Sequence, residues 1–469
     1  MRNGLFPLLC AVCLGLLFSP SLSRAQHTTF DLESALRFAL KHNPSLRISE
    51  RDVATEKYGI DAAKSERMPK VDFGSGATRY RYPTPLTPLV LPSALTLAAL
   101  QSLEVPDFER TIYDAGASFR LPLYRGGRIT ANIRVAEMRK ALAQDNYRVS
   151  EQDLIYNVTS VYHKILQLQK LLAASKASVT QLESHYRDVE SFLKAGTAPR
   201  LDLLKTEVDL AHAKDNLLVV RNNLDSAFEL LKNLMGMEDA GTTIAVVEPE
   251  LSAATCPSEE ESMNIALAKR PDYRGVAKKK AITEGRIRIA QGRWFPDVYG
   301  SGQYIKRAGE ETSFHEDWFF GLRLSIPVFD GGLIRSEVEK EQTELEKVRQ
   351  EERLVRLNIS REVKDARLSV VNTSDRIKVA EKAIESARET VRVEHLKFGA
   401  GSGTTTEVID AQTALLRAES DYYQALYDRE IALASLRKAM GEYPPNIERN
   451  ENERGGSASF AGGGGAEPQ

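Results

Sequence analysis

The chain has 469 residues, 42% hydrophobic and 27% charged, and its 63 basic and 65 acidic side chains balance to a formal charge of −2. The basic residues are spread evenly, so there is no cationic footprint for nucleic acid. Of three cysteines, two fall within the first 13 residues, which excludes an internal disulfide framework once those are removed.

In chain order, residues 1–25 read as a secretory signal peptide: Arg2 gives a positive start, 5–18 an apolar core, and Ser23-Arg24-Ala25 a small-x-small cleavage site. Cys10 and Cys13 leave with it. Neither follows the small residues that lipid attachment requires, so the exported chain is predicted not to be lipidated. The remaining Cys256 sits beside Pro257 in a linker and reads as incidental. Downstream, no stretch reaches the roughly 18 apolar residues of a membrane helix.

The phrase "LPLYRGGRI" at 121–129 returns as "IPVFDGGLI" at 326–334. The spacing of 205 persists downstream, matching Gly196 with Gly401 and Met235-Gly236 with Met440-Gly441. Upstream it becomes 227, matching Pro44 with Pro271 and Pro69 with Pro296, so the first copy carries 22 extra residues in the Pro-rich stretch near 83–106. A period of about 200 residues means two similar units within one fold, not a solenoid. The predicted organisation is a first repeat at 26–247, a linker at 248–257, a second repeat at 258–445 and a Gly-rich disordered tail at 446–469.

Each repeat opens with small entry helices: Asp31 fits an N-cap, and Ser258 with Glu261 a capping box. The pattern then takes period two. Trp318, Phe320, Leu322, Leu324 and Ile326 alternate with Phe319, Gly321, Arg323 and Ser325; Tyr113, Ala115, Ala117, Phe119 and Leu121 alternate with Asp114, Gly116, Ser118 and Arg120. Strands are predicted at about 70–82, 111–121, 297–307 and 316–326. Each has about the ten residues that a tilted strand needs to cross a bilayer, and Trp294 and Trp318, the only tryptophans, fall at strand ends where interfacial girdles sit. A soluble sheet with one face on a core gives the same alternation. Four strands in lipid would leave two unpaired edges, so such a sheet has to close with other copies of the chain.

Beyond each Gly-Gly pair the period lengthens. Val363, Ala366, Val370, Ile377, Ala380, Ile384, Ala387, Val391 and Phe398 follow a 3,4 spacing, with Thr373 and Glu394 as polar members. This is a heptad seam and predicts coiled-coil packing of long helices. They are expected at about 127–195 and 200–236, and at about 332–400 and 405–440. A helix over 127–195 is roughly 100 Å long and its successor roughly 54 Å, so a further helix at 45–67 is needed to complete the pairing. No HExxH, paired cysteine, close histidine cluster, GxSxG or P-loop occurs, so neither enzyme, cofactor nor metal site is predicted.

The duplicated strand-strand-helix-helix order resembles the TolC-type outer-membrane efflux proteins over roughly 30–445. Two kinds of motif carry the resemblance. One is the P-[LV]-[YF]-x-GG exits at Pro122, Gly126, Gly127 and at Pro327, Gly331, Gly332; the other is the Gly turns before "LDLL" and "EVID". It implies an α+β homotrimer in which four strands per chain contribute to one 12-stranded transmembrane β-barrel in outer-membrane lipid. An antiparallel α-helical coiled-coil barrel would then cross the periplasm. Pro is expected to stop each strand and the glycines to let the backbone swing into a helix. The extra loop would lie at the outer mouth, as a partial lid or packed on itself. A periplasmic adaptor (membrane fusion) protein and an inner-membrane pump or ABC transporter are the implied partners.

The resemblance places the tunnel entrance at "GTAPRLDLL" (Gly196, Thr197, then Arg200 and Asp202) and "GSGTTTEVI" (Gly401, Ser402, Gly403, then Glu407), with Asp410 a helical turn beyond. Under three-fold symmetry Glu407 and Asp410 would form acidic rings that favour cations. The family's basic residue two positions after the second Gly is here Gly403, so the latch would be wired differently, through Arg200. The competing reading makes Asp202 and Glu407 first-turn acids favoured by the helix dipole. Two functions stand: a passive, gated export duct, or a periplasmic coiled-coil spacer or adaptor that needs no barrel.

Overall fold

The computed structural model describes residues 28–87, 105–238, 243–249, 256–310 and 314–444. The signal peptide, the centre of the extra loop, most of the linker and the Gly-rich tail lie outside these residues. In chain order the elements are β1 (Thr28–Phe30), α1 (Leu32–His42), α2 (Pro44–Ser65), β2 (Lys70–Pro85), β3 (Phe108–Arg125), α3 (Arg128–Lys194) and α4 (Arg200–Met235). They continue as β4 (Ile244–Val246), α5 (Glu259–Lys269), α6 (Pro271–Gln291), β5 (Asp297–Ala308), β6 (His315–Ser325), α7 (Leu333–Gly399) and α8 (Thr405–Met440). The duplicated strand-strand-helix-helix order is therefore present, with α3 and α7 each 67 residues long. Two compact units result, one of 45–151 with 260–363 and one of 1–44, 152–259 and 364–469; the long helices run from one into the other.

The first of these units holds an antiparallel sheet in the order β2-β3-β5-β6, leaving β2 and β6 as open edges. Register puts Val71 opposite Phe119, Phe119 opposite Gly302, and Gly302 opposite Phe320, so these four share one face. A Cβ on Gly302 would meet the Phe119 ring at 2.3 Å; its absence lets Phe119 and Phe320 stack across the strand with centroids 5.8 Å apart. That face is apolar and bare: Val71, Phe73, Trp318, Phe320, Leu322 and Leu324 are all exposed. The other face carries Lys70, Asp72, Arg120, Gln303 and Arg323.

Two strand expectations are corrected. β2 runs to Pro85 and β3 from Phe108 to Arg125, beyond the expected 70–82 and 111–121, because pairing resumes after a register shift with Thr84 opposite Glu109 and β3 stays paired with β5 as far as Arg125 opposite Asp297. Pro122 does not stop its strand. β3 continues to Arg125, and Pro122 sits at a register shift against β5, where a residue without an N–H costs the ladder nothing. Pro327, by contrast, lies beyond the end of β6.

Under the sheet, α3 packs on α2 through Ala63, Ile133 and Ala136. It approaches α6 closely because Gly285 has no side chain, a Cβ there falling 2.4 Å from Val135. Between these helices Asp145, 1% exposed, is ion-paired with Lys278 and lies 3.7 Å from both Arg148 and Arg274. Arg270 at the start of α6 pairs with Glu362 of α7 at 2.7 Å.

In the other unit, β1 and β4 pair in parallel, an element not foreseen because three residues carry no periodicity. Tyr162, fully buried on α3, fastens the pair: its hydroxyl donates toward the Phe30 carbonyl at 2.9 Å and accepts from the Val247 N–H at 3.0 Å. Asp31 caps α1, its carboxylate accepting from the Ser34 N–H at 2.9 Å, as the sequence indicated. On α7 the positions 363, 366, 370, 373, 380, 384 and 391 are buried, 377, 387, 394 and 398 half-buried, and most residues between them exposed. The predicted seam is thus the packed face. Each apolar side chain fully buried along it contributes about 1.5–3 kcal/mol.

Candidate functional site: the turns at the helical tips

Both long helices end in the same way. Gly196 (φ +77°) and Gly401 (φ +74°) take the left-handed conformation that closes a helix at low cost only for glycine. The next residue satisfies the orphaned carbonyl three positions before each glycine's predecessor. Thr197 gives both its N–H (2.9 Å) and its hydroxyl (3.0 Å) to the Phe192 carbonyl, and Ser402 does the same to Lys397 (3.0 and 3.2 Å). The Gly403 N–H adds a third bond to that carbonyl at 3.0 Å. Any Cβ at 403 would lie 2.9 Å from the Phe398 nitrogen and 3.0 Å from the Lys397 Cβ. The residue that departs from the family pattern is therefore held to glycine by its own turn.

The acids after the turns take different roles. Glu407 is the N3 member of a capping box: its carboxylate accepts from the Thr404 N–H at 2.8 Å and hydroxyl at 2.9 Å, while its own N–H donates to Thr404 Oγ1 at 3.3 Å. The Thr404 N–H, then its hydroxyl, hold the Glu407 carboxyl below its usual range. Asp410 is exposed and has no hydrogen-bond or ion-pair partner among the described residues. Asp202 lies half-buried in the first turn of α4, and Arg200 opens that helix, exposed and without an ion pair among the described residues. The cation near the second turn is Lys397, bonded to Glu394 at 2.7 Å and close enough to Glu407 for each to favour the other's charge. Sequence reading missed it because it precedes the glycine.

The sequence also gave no hint that histidines 185 and 395 meet, since α3 and α7 run side by side with a stagger that the repeat does not predict. Their ring centroids are 6.1 Å apart, with Phe398 4.7 Å from His185 and Phe192 5.5 Å from Phe398. Gln412 donates to His395 Nε2 at 3.0 Å. No group of three metal-ligating side chains forms among the described residues. Fully buried in this aromatic cluster, His185 is pushed down to about 4, first by burial and then by His395, with Asp188 and Asp202 opposing; burial alone pushes His163 to about 4. The unfolded chain takes up these protons near 6.5, so packing stability is complete above that pH and is lost as pH falls toward 4, by up to about 1.4 kcal/mol per unit for each histidine. Thermal unfolding at pH 7 and pH 4.5 is expected to show a smaller acid loss for His185→Phe than for the parent. Equal losses would remove His185 from the account.

The exits from the sheet match in conformation, all four glycines having positive φ (Gly126 +59°, Gly127 +74°, Gly331 +67°, Gly332 +88°). They differ in support. In the second, Asp330 accepts from the Gly332 and Ile334 N–H groups at 2.9 and 2.8 Å. In the first, Arg128 binds the Arg125 carbonyl at 3.0 Å and pairs with Asp297. Trp294, expected at a strand end, lies in a single 3-10 turn before β5, and Trp318 is the fourth residue of β6; both are exposed.

A hairpin-fed sheet with one bare apolar face, joined twice over to long helical hairpins, defines the architecture of a channel-tunnel. The chain belongs to the outer membrane efflux protein family, which it matches over residues 35–237 and 263–442. It is 24% identical to the outer membrane protein TolC of Escherichia coli over 468 residues, covering 92% of this chain and 86% of that one. It is 23% identical to the outer membrane efflux protein BepC of Brucella suis over 423 residues, covering 87% and 85%. Among solved structures, the Campylobacter jejuni CmeC outer membrane channel superposes with a TM-score of 0.75 at 16% identity, covering 87% of this chain and 85% of that one. The Vibrio cholerae outer membrane protein VceC gives 0.73 at 16%, covering 88% and 96%. The chain is thus an outer-membrane efflux channel in a family of transport proteins.

Proposed function

We propose that three copies close their sheets into one barrel and that the resulting duct passively exports solutes or polypeptides, opened at the helical tips by a periplasmic adaptor and an inner-membrane pump or ABC transporter. The observation that carries this is the sheet itself: a bare apolar face with open edges at β2 and β6. In water that face and those edges are liabilities; in lipid, closed against neighbours, they are satisfied. A periplasmic spacer would leave the apolar face without an occupant. The two repeats supply the barrel wall and the tunnel wall, with the exits at Gly126-Gly127 and Gly331-Gly332 and interfacial anchors at Trp294 and Trp318. Relatives include both an efflux protein and the alkaline protease secretion protein AprF of Pseudomonas aeruginosa, 23% identical over 312 residues, so the reading leaves cargo size open.

In the closed duct Asp410 lines the entrance, its carboxylate being uncommitted, while Glu407 holds the turn in shape through Thr404. Lys397, Arg200 and Asp202 are the remaining charges of the latch. Single-channel recordings in planar bilayers test this. The parent is expected to give small cation-selective steps, Asp410→Ala to lose most of that selectivity, and Glu407→Ala to change step size through a loosened turn. Steps unaltered by Asp410→Ala would move the constriction elsewhere. A water-soluble particle without conductance would end the duct reading.

A further inference from the structure

At the end of the sheet that joins the helices, the polar face carries three cations on two successive levels. Register sets Lys70 directly opposite Arg120, Arg120 opposite Ser301, and Tyr299 opposite Arg323. The Arg120 guanidinium lies 6.0 Å from the Tyr299 ring, which bridges it toward Arg323. All three cations are exposed, and among the described residues none forms an ion pair. The acids nearby do not neutralise them: Asp297 is taken by Arg128, Asp72 faces Ser118 one step further along β2, and Asp114 faces Arg307. Like charges placed directly opposite on a sheet destabilise it. The Lys70–Arg120 pair therefore works against the sheet that holds it, and a bound or passing anion relieves that repulsion.

We propose that Lys70, Arg120 and Arg323 form a cationic collar inside the duct that concentrates small polyvalent anions; this rests on the reading of the polar face as a channel wall. Three chains would bring nine cations into one ring, against three Asp72 carboxylates. A barrel of 12 strands is about 24 Å wide between backbones. Long side chains reaching inward then bring their charges to within about one Debye length, roughly 8 Å, of the axis. The collar is consequently felt across the whole lumen.

The test is the current through single channels with citrate, a trivalent carboxylate, in both chambers at neutral pH. In the parent, citrate is expected to block at low concentration. In Lys70→Gln, Arg120→Gln, Arg323→Gln the half-blocking concentration is expected to rise at least tenfold, while Arg79→Gln, on the opposite face, leaves it where it was. The triple variant removes repulsion from the sheet, so it is expected to assemble; a heat-resistant oligomer on a gel checks that it has. Channels that conduct normally but are blocked equally in parent and triple variant, or are not blocked, overturn the collar and leave the duct intact. Absence of conductance in the parent overturns the duct reading itself.

Discussion

Gly126→Ala is expected to prevent recovery of an assembled channel, while Gly331→Ala, the same change at the matching position of the second copy, is expected to be tolerated. Both residues have positive φ, so alanine costs about 1–2 kcal/mol at either. At Gly126 the added Cβ would also fall 2.1 Å from the Gly292 carbonyl oxygen and 2.9 Å from the Phe295 Cβ, backbone and near-backbone atoms that cannot rotate away. Gly331 has nothing within 4 Å. Forced overpacking adds about 1–3 kcal/mol or more, so the two costs together take a large part of the roughly 5–15 kcal/mol margin of an ordinary fold. The fraction of outer-membrane chain that resists heating in detergent as an oligomer measures the difference, and equal fractions would show that the close approach at Gly126 does not constrain the exit.

The second large effect is expected at Asp145. Among the described residues its carboxylate is the acid that Lys278, Arg148 and Arg274 share, so Asp145→Ala leaves three cations facing one another between α3 and α6. Breaking a buried pair by removing one partner costs about 3–5 kcal/mol, and the lower end applies here because the cations are 28–42% exposed and can turn outward. The urea midpoint of unfolding should fall accordingly. Asp145→Ala with Lys278→Met should recover part of the loss, since the pair is then replaced by apolar contact. A double variant no better than the single one would show that the stability lies in packing at 145 and not in charge.

Much of this was legible in the sequence because long elements repeat their pattern often enough to be read. The α7 seam was visible at eleven positions, and the alternation through Trp318–Ile326 identified the bare face of β6. What escaped notice had no period. β1 and β4 are three residues each and exist through the hydroxyl of Tyr162. Pro122 looked like a strand end because its missing N–H is a local signal, whereas the register shift that accommodates it belongs to the neighbouring strand. At the tips the glycine turns were read correctly as turns. The division of labour between Glu407 and Asp410 was not readable, since both are acids near a helix start and only the Thr404 bonds separate them. The meeting of His185 with His395 depends on the stagger of two helices, which no single copy of the repeat encodes.

The two long helices began as copies, yet they are enclosed unequally. Between 152 and 189 α3 is buried around much of its circumference, whereas α7 over 363–391 is buried along one stripe. Within a single chain, substitution should therefore disturb packing at a majority of positions in the middle of α3 and at about one in three or four on α7. The rest of α7 is surface that neighbouring copies would meet in the proposed trimer. What constrains the first copy is its own fold, and what constrains the second is assembly.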